Sequence, residues 1–270
     1  MPPVDIQARV LQNTRLSPDC NVLVLDAPAI AAEALPGQFV MIRTSPGTDP
    51  LLRRPFSVFE IRREGGAALA ISVLCKRVGP GTARLYDAAS GEVLPVLGPL
   101  GKPFHPLGPP SEAWMVAGGV GLAPFAALTE VLRDLGTPSR LFYGGRTAAD
   151  LFYTDWFASR GVGLDLATED GSRGARGFVT APLAEALRTR PAESPVTLYA
   201  CGPEPMLKTV ADLARLHGRP SQLSTERVMG CGMGGCYGCV VRVRDTEGRP
   251  HFVRSCLDGP VFRGEELVWE

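Results

Sequence analysis

Apolar residues fall in short runs over the first third of the chain and in longer periodic stretches beyond it. The runs Asn21–Asp26, Gly37–Arg43, Phe56–Ile61 and Ala68–Leu74 are rich in β-branched and aromatic residues and are separated by Gly and Pro. That pattern predicts the strands of a small antiparallel barrel. From Ala113 the pattern changes. An apolar strand, Ala113–Ala117, is followed by a helix-periodic stretch from Ala123 to Leu135 stopped by Gly136, then by Arg140–Tyr143; Val196–Ala200 and a helix from Pro205 to His217, stopped by Gly218, repeat the alternation. Strands alternating with helices predict a parallel sheet with helices on its faces. Between the two patterns, from Pro95 to Pro110, glycine and proline dominate, as in a connection between domains. The last segment, from about Ser224, is too short for a generous core and must lean on its neighbours or on a bound group. The expected organisation is therefore α+β and multi-domain: an antiparallel β-barrel over 1–108, an α/β parallel-sheet domain over 109–223, and a small C-terminal domain over 224–270.

Composition narrows the partners. The 28 basic and 28 acidic side chains cancel, which gives nucleic acid or an anionic membrane surface no electrostatic handle. With no charged, apolar leader at the start and no apolar run of about 18 residues, the expected location is the cytoplasm. Seven cysteines, four of them clustered, read as ligands plus free thiols in a reducing compartment.

The cluster carries the strongest chemistry. Cys231, Cys236, Cys239 and Cys256 follow the spacing C-x4-C-x2-C...C that holds a [2Fe–2S] centre in plant-type ferredoxins. Thiolates are soft, charged donors suited to iron, and the interleaved glycines let backbone N–H groups turn toward sulfur. Structural zinc, or a pair of disulfides, is the alternative, although zinc usually takes two C-x2-C pairs.

Two further motifs suit phosphate and ring recognition. Arg54-Pro55-Phe56-Ser57 offers a guanidinium, a hydroxyl and backbone amides at the barrel rim, and Leu74-Cys75-Lys76 is followed by Gly79-Pro80-Gly81-Thr82, where glycine permits close approach to an anion. Gly118-Gly119-Val120-Gly121 follows an apolar strand and precedes a helix, the outline of a dinucleotide turn, with Pro124 where a Rossmann helix would already have begun. Cys201-Gly202-Pro203-Glu204-Pro205-Met206 repeats the design; a lone Cys after a strand is ordinarily core. Arg146 offers a cation to a 2′-phosphate, whereas Asp150, Glu169 and Asp170 would repel one if they lie nearby. His105, His217 and His251 have no evident catalytic task.

In this order, Arg54-Pro-Phe-Ser, Gly118-Gly-Val-Gly, Cys201-Gly-Pro and the cysteine set resemble the ferredoxin–NADP reductase superfamily. The stretch Glu226-Arg-Val-Met-Gly-Cys-Gly-Met-Gly-Gly-Cys-Tyr-Gly-Cys239, with Cys256-Leu-Asp-Gly-Pro-Val-Phe262, is similar to the electron-transfer subunit of class 1B dihydroorotate dehydrogenase, and the likeness spans nearly the whole chain. The resemblance implies FAD on Arg54, Pro55, Phe56, Ser57, Leu74, Cys75, Lys76, Gly81 and Thr82; NAD on Gly118, Gly119, Gly121, Cys201, Gly202 and Pro203; and a [2Fe–2S] cluster on Cys231, Cys236, Cys239 and Cys256. No residue is expected to act as a general acid or base. It further implies an FMN-containing catalytic subunit as partner in pyrimidine biosynthesis, in a heterotetramer. Other electron-transfer complexes, of the sulfide dehydrogenase, hydrogenase or transhydrogenase type, share these motifs; a non-enzymatic cluster-binding redox sensor would leave Arg54–Ser57 and both glycine turns unused.

Overall fold

The computed structural model describes residues 2–45 and 47–269. Its N-terminal part is built from β1 (Val4–Ser17), β2 (Cys20–Asp26), α1 (Pro28–Ala31), β3 (Phe39–Ile42), β4 (Arg54–Ser57), β5 (Glu60–Glu64), β6 (Ala67–Lys76), α2 (Pro80–Asp87) and β7 (Val93–Leu100). The seven strands form one antiparallel sheet in the order β4-β3-β7-β1-β2-β6-β5. It curls around a core of Val10, Leu23, Leu25, Ile42, Ile71, Val73 and Val96, with α1 and α2 supplying Ile30 and Leu85. Its two edge strands, β4 and β5, are not hydrogen-bonded to each other, so the sheet is a half-barrel. The run Phe56–Ile61 does not stay one strand: it divides between β4 and β5, because Val58 and Phe59 turn inward as fully buried side chains.

The proline-rich stretch also departs from expectation. Residues 95–100 are not linker but the body of β7. Pro95 lacks an N–H, yet its carbonyl accepts from the Arg43 N–H at 2.9 Å, so the ladder loses only a donor there. The connection begins after Leu100.

The second part comprises β8 (Glu112–Gly118), a 3-10 turn at Gly119–Leu122, α3 (Phe125–Asp134), β9 (Ser139–Gly145), a second 3-10 turn at Ala148–Asp150, α4 (Thr154–Ala158), β10 (Gly163–Thr168), β11 (Ala175–Arg176), α5 (Thr180–Thr189), β12 (Val196–Cys201), α6 (Glu204–Leu216) and β13 (Ser221–Ser224). Pro124 stands as the N-cap of α3, which places the glycine turn ahead of the helix rather than inside it. The C-terminal part adds β14 (Val240–Arg244), β15 (Pro250–Arg254), α7 (Ser255–Asp258) and β16 (Val261–Arg263). The sheet order is β11-β10-β9-β8-β12-β13-β16, parallel except for β16, which runs antiparallel to β13. The last strand of the nucleotide sheet thus comes from the cysteine-bearing segment.

Apolar contacts join the parts at several places, among them a buried cluster of Cys20, Val22, Phe59 and Leu74 with Met115, Leu122 and Phe125. Phe104, just after the half-barrel, lies between Phe125 of α3 and Tyr199 of β12, with ring centroids 6.0 and 5.6 Å away. Phe39, Met41, Leu97 and Leu100 of the half-barrel form one buried cluster with Met229, Cys239 and Cys256. Among the described residues no helix is long and apolar enough to cross a membrane.

Candidate functional site

A cavity of about 640 Å³ opens at the carboxyl ends of the parallel strands, where an open α/β sheet receives its ligands. Gly118, Gly119 and Val120 after β8 line one side, and Gly144, Gly145 and Arg146 at the end of β9 line another; Pro203, Pro205 and Met206 at the start of α6 face them. Gly119 has φ +55°, a left-handed conformation that glycine adopts without a Cβ penalty. Gly121 stands behind the wall. A Cβ there would lie 2.1 Å from the Cys201 carbonyl oxygen, so the two glycine turns pack backbone on backbone. Gly202 completes this contact: a Cβ there would lie 3.0 Å from the Gly118 nitrogen and 3.2 Å from its Cα.

Cys201 is likewise behind the cavity, almost fully buried in β12, and burial raises its thiol well above the ordinary range. It is a core residue that carries the turn after it. Pro203, by contrast, lines the cavity. Of the charged residues considered for a 2′-phosphate, Arg146, Asp150 and Glu169 all face this cavity; Asp170 instead accepts from the Ser172 hydroxyl and N–H. Two acids against one arginine on that wall suit a free ribose better than a phosphorylated one.

The cavity is shared by all three parts of the molecule. Lys76, at the end of β6, reaches it while pairing with Asp19 at 3.8 Å. Glu226 enters from the C-terminal segment; it is open to the cavity but flanked by protein, and dehydration raises its carboxyl pKa. Phe178 and Thr180 carry no motif of their own, and Glu226, which opens the cysteine-bearing stretch, carries no sign of this role; only the fold brings the three here. None of the three histidines lines the cavity.

On the half-barrel, Arg54 to Ser57 form the edge strand β4 and are half-buried. A Cβ on Gly81 would lie 3.0 Å from Thr44 Oγ1 and 3.4 Å from Arg54 Nε, so the glycine at the start of α2 leaves a cradle between them. Thr44 Oγ1 is buried and finds no hydrogen-bond partner among the described residues. A buried orphan hydroxyl beside a guanidinium and a glycine helix start fits a phosphate oxygen. Thr82 closes the turn: its hydroxyl accepts from the Val78 and Gly79 N–H groups at 2.8 and 3.1 Å. Leu74 and Cys75 point into cores, and burial pushes the Cys75 thiol up to about 12; from this stretch only backbone and Lys76 face outward.

The four cysteines lie near the C-terminus on the loop before β14 and at the start of α7; Cys231 interacts electrostatically with Cys236, and Cys256 with Cys239 and Cys231. The Gly234 N–H donates to Cys256 Sγ at 3.2 Å and the Met233 N–H to Cys231 Sγ at 3.4 Å. Burial pushes the Cys231 thiol up, but N–H donors and Cys236 outweigh it and hold it at about 7. Burial and the neighbouring Cys239 carry Cys256 up to about 12. Gly232 and Gly234, at φ +72° and +80°, wind the loop; a Cβ on Gly232 would meet Met41 Cγ at 2.6 Å, so the loop lies directly on the half-barrel. Among the described residues no three His, Cys, Asp or Glu side chains surround a single point. Four thiols in one short segment, with backbone N–H donors on Cys231 and Cys256, are the soft donor set that an iron–sulfur cluster takes.

A curled antiparallel sheet, a parallel sheet with a glycine-lined cavity and a four-cysteine segment together define an NAD-linked iron–sulfur oxidoreductase subunit with the ferredoxin–NADP reductase fold. Residues 115–212 match the oxidoreductase NAD-binding domain, and residues 226–268 match the iron–sulfur cluster binding domain of dihydroorotate dehydrogenase B. The solved structure of an NADH-dependent reduced ferredoxin–NADP oxidoreductase is similar over 98% of this chain and 90% of its own, with TM-score 0.84 and 30% identity. The electron transfer subunit of dihydroorotate dehydrogenase B (NAD(+)) from Bacillus caldolyticus is 39% identical over 91% of each chain, and that from Desulforamulus reducens 33% identical over 97% of this chain and 98% of its own. The chain belongs to the family of dihydroorotate dehydrogenase B electron transfer subunits.

Proposed function

We propose that Cys231, Cys236, Cys239 and Cys256 hold a [2Fe–2S] cluster, that Arg54–Ser57, the backbone of Leu74–Lys76, Gly81 and Thr82 hold FAD, and that the 640 Å³ cavity takes NAD(H). The chain is the electron-transfer part of an oxidoreductase using NAD, FAD and an iron–sulfur cluster; the flavin supplies the conversion between hydride and single-electron chemistry. The protein's task is placement. Gly118–Val120 and the start of α6 present N–H groups to a pyrophosphate, while the Thr44 hydroxyl and the Arg54 guanidinium donate to the flavin's. The observation that carries the reading is the shared cluster in which Cys239 and Cys256 pack on Phe39, Met41, Leu97 and Leu100, setting the cysteines against the flavin half-barrel with no solvent layer between. Lys76 and Glu226, meeting in one cavity, bring the nucleotide to the same junction.

The acceptor in this reading is the FMN of a separate dihydroorotate dehydrogenase catalytic subunit, in a heterotetramer in the cytoplasm. Anaerobic NADH titration of the chain with that subunit tests it, followed by absorbance and EPR with orotate as final acceptor. Bleached flavin, a reduced [2Fe–2S] signal and dihydroorotate formation are expected. A reduced cluster without orotate turnover would assign the electrons to a different partner.

A further inference from the structure

The hairpin β14–β15 hides one face and shows another. Val241 and Val243 are buried against the nucleotide sheet, whereas Val240, Arg242 and Arg244 alternate outward opposite Arg254, Phe252 and Pro250. A solvated strand face normally carries polar groups; here Phe252 is 67% exposed, and Tyr237, at the root of the hairpin, 63%. Between them runs a groove of about 230 Å³ that includes Val240, Arg254 and Asp258. Tyr237 has φ +58°, a left-handed conformation that costs a non-glycine residue of order 1–3 kcal/mol. The strain is held by neighbours: the Arg254 guanidinium lies 4.9 Å over the Tyr237 ring and donates to the Gly234 carbonyl at 2.9 Å. The ring is thereby fixed outward, one residue from the exposed Cys236.

The charge on this face is predominantly basic: Arg242, Arg244 and Arg254 stand against Asp258, whose carboxylate accepts from the Arg254 N–H at 3.2 Å. Asp245 and Glu247 are taken by Arg249, and Glu265 and Glu266 by Arg263, while Arg242 and Arg244 make no ion pair among the described residues. An occupant must bring carboxylates, and it comes closest to the cluster loop at Cys236. We propose that this hairpin face docks the flavoprotein that receives the chain's electrons, seating an apolar side chain of that partner between Tyr237 and Phe252 and its carboxylates on Arg242 and Arg244. The proposal rests on the function given above.

The test uses the cofactor-loaded chain and the purified dihydroorotate dehydrogenase catalytic subunit, with affinity measured by calorimetry at low and high salt. For Arg242→Glu/Arg244→Glu the expected result is a loss of at least about tenfold in affinity at low salt and a flattened salt dependence. Phe252→Ser should lose roughly tenfold at either salt, and Arg242→Lys/Arg244→Lys should bind nearly as the unsubstituted chain does. All variants should keep NADH-driven bleaching of their own flavin, which shows that they fold. Unchanged affinity in the charge-reversed and Phe252 variants overturns the proposal. So does loss of self-association with the heterologous complex intact, which would make a second copy of this chain the occupant. Failure of the functional reading itself is seen earlier, as absent electron delivery by the unsubstituted pair, and takes the docking proposal with it.

Discussion

Substituting Gly121 by Ala tests whether the two glycine turns truly rest on each other. The new Cβ would stand 2.1 Å from the Cys201 carbonyl oxygen, 2.5 Å from its carbon and 2.7 Å from Gly202 Cα. Non-bonded carbons settle at about 3.5–4.0 Å, so the turns must part by roughly 1 Å against backbone that cannot rotate aside. Overpacking of this kind costs about 1–3 kcal/mol. In a protein of this size each kcal/mol lowers Tm by roughly 2–4 °C, giving an expected fall of about 2–12 °C in scanning calorimetry. The separation also moves Gly118–Val120, which line the cavity, and a misplacement of about 1 Å is worth on the order of a hundredfold in rate, here in kcat/KM for NADH measured by stopped-flow flavin bleaching. Gly119→Ala is the control. Position 119 has φ +55° but nothing within 4 Å of a new Cβ, so it pays only the left-handed penalty of about 1–2 kcal/mol. An unchanged Tm in Gly121→Ala would refute the contact between the turns.

The remaining expectations concern the other sites. Cys236→Ser should abolish the reduced-cluster EPR signal while NADH still bleaches the flavin; normal electron delivery to the catalytic subunit by this variant would sink the relay. Arg54→Ala should weaken flavin retention by about tenfold or more, as loss of a charge-assisted phosphate contact does; full flavin content after gel filtration would show the cradle to be elsewhere. Dehydration raises the Glu226 carboxyl pKa, so its contribution is present below the ordinary carboxylate pKa and is lost as pH rises through the raised value. Glu226→Gln, always neutral, should therefore melt higher than the parent at neutral pH and lose that advantage in acid. A gain that persists below about pH 4 would contradict the assignment.

Much of this was legible in the sequence because it was local. The cysteine spacing, the turn after β8 and the turn after β12 each lie within a few residues, and the periodicity of α3 and α6 survives in any context. Other features depend on contacts between distant segments. The strand character of Pro95–Leu100 comes from its partners β1 and β3, which outweigh a proline's missing donor. Eight of the 14 residues of β1 are polar, so apolar runs do not announce it. Thr44 acquires meaning only beside Gly81 and Arg54, and Glu226 only where the C-terminal segment crosses the nucleotide cavity. Cys75 and Cys201 sit in the expected motifs, but the sheets turn their side chains inward.

The strand β16 carries a consequence for how such proteins are assembled from parts. The segment from Ser224 onward looks like a cassette, yet Val261, Phe262 and Arg263 are the partners of Ser224, Leu223 and Gln222 in the nucleotide sheet. Removing or exchanging the segment would strip β13 of its neighbour and leave a raw edge open to pairing with other chains. A chimera made by cutting at that junction should therefore aggregate unless Val261–Arg263 stays with the sheet, and the boundary usable for recombination lies inside the C-terminal segment rather than before it.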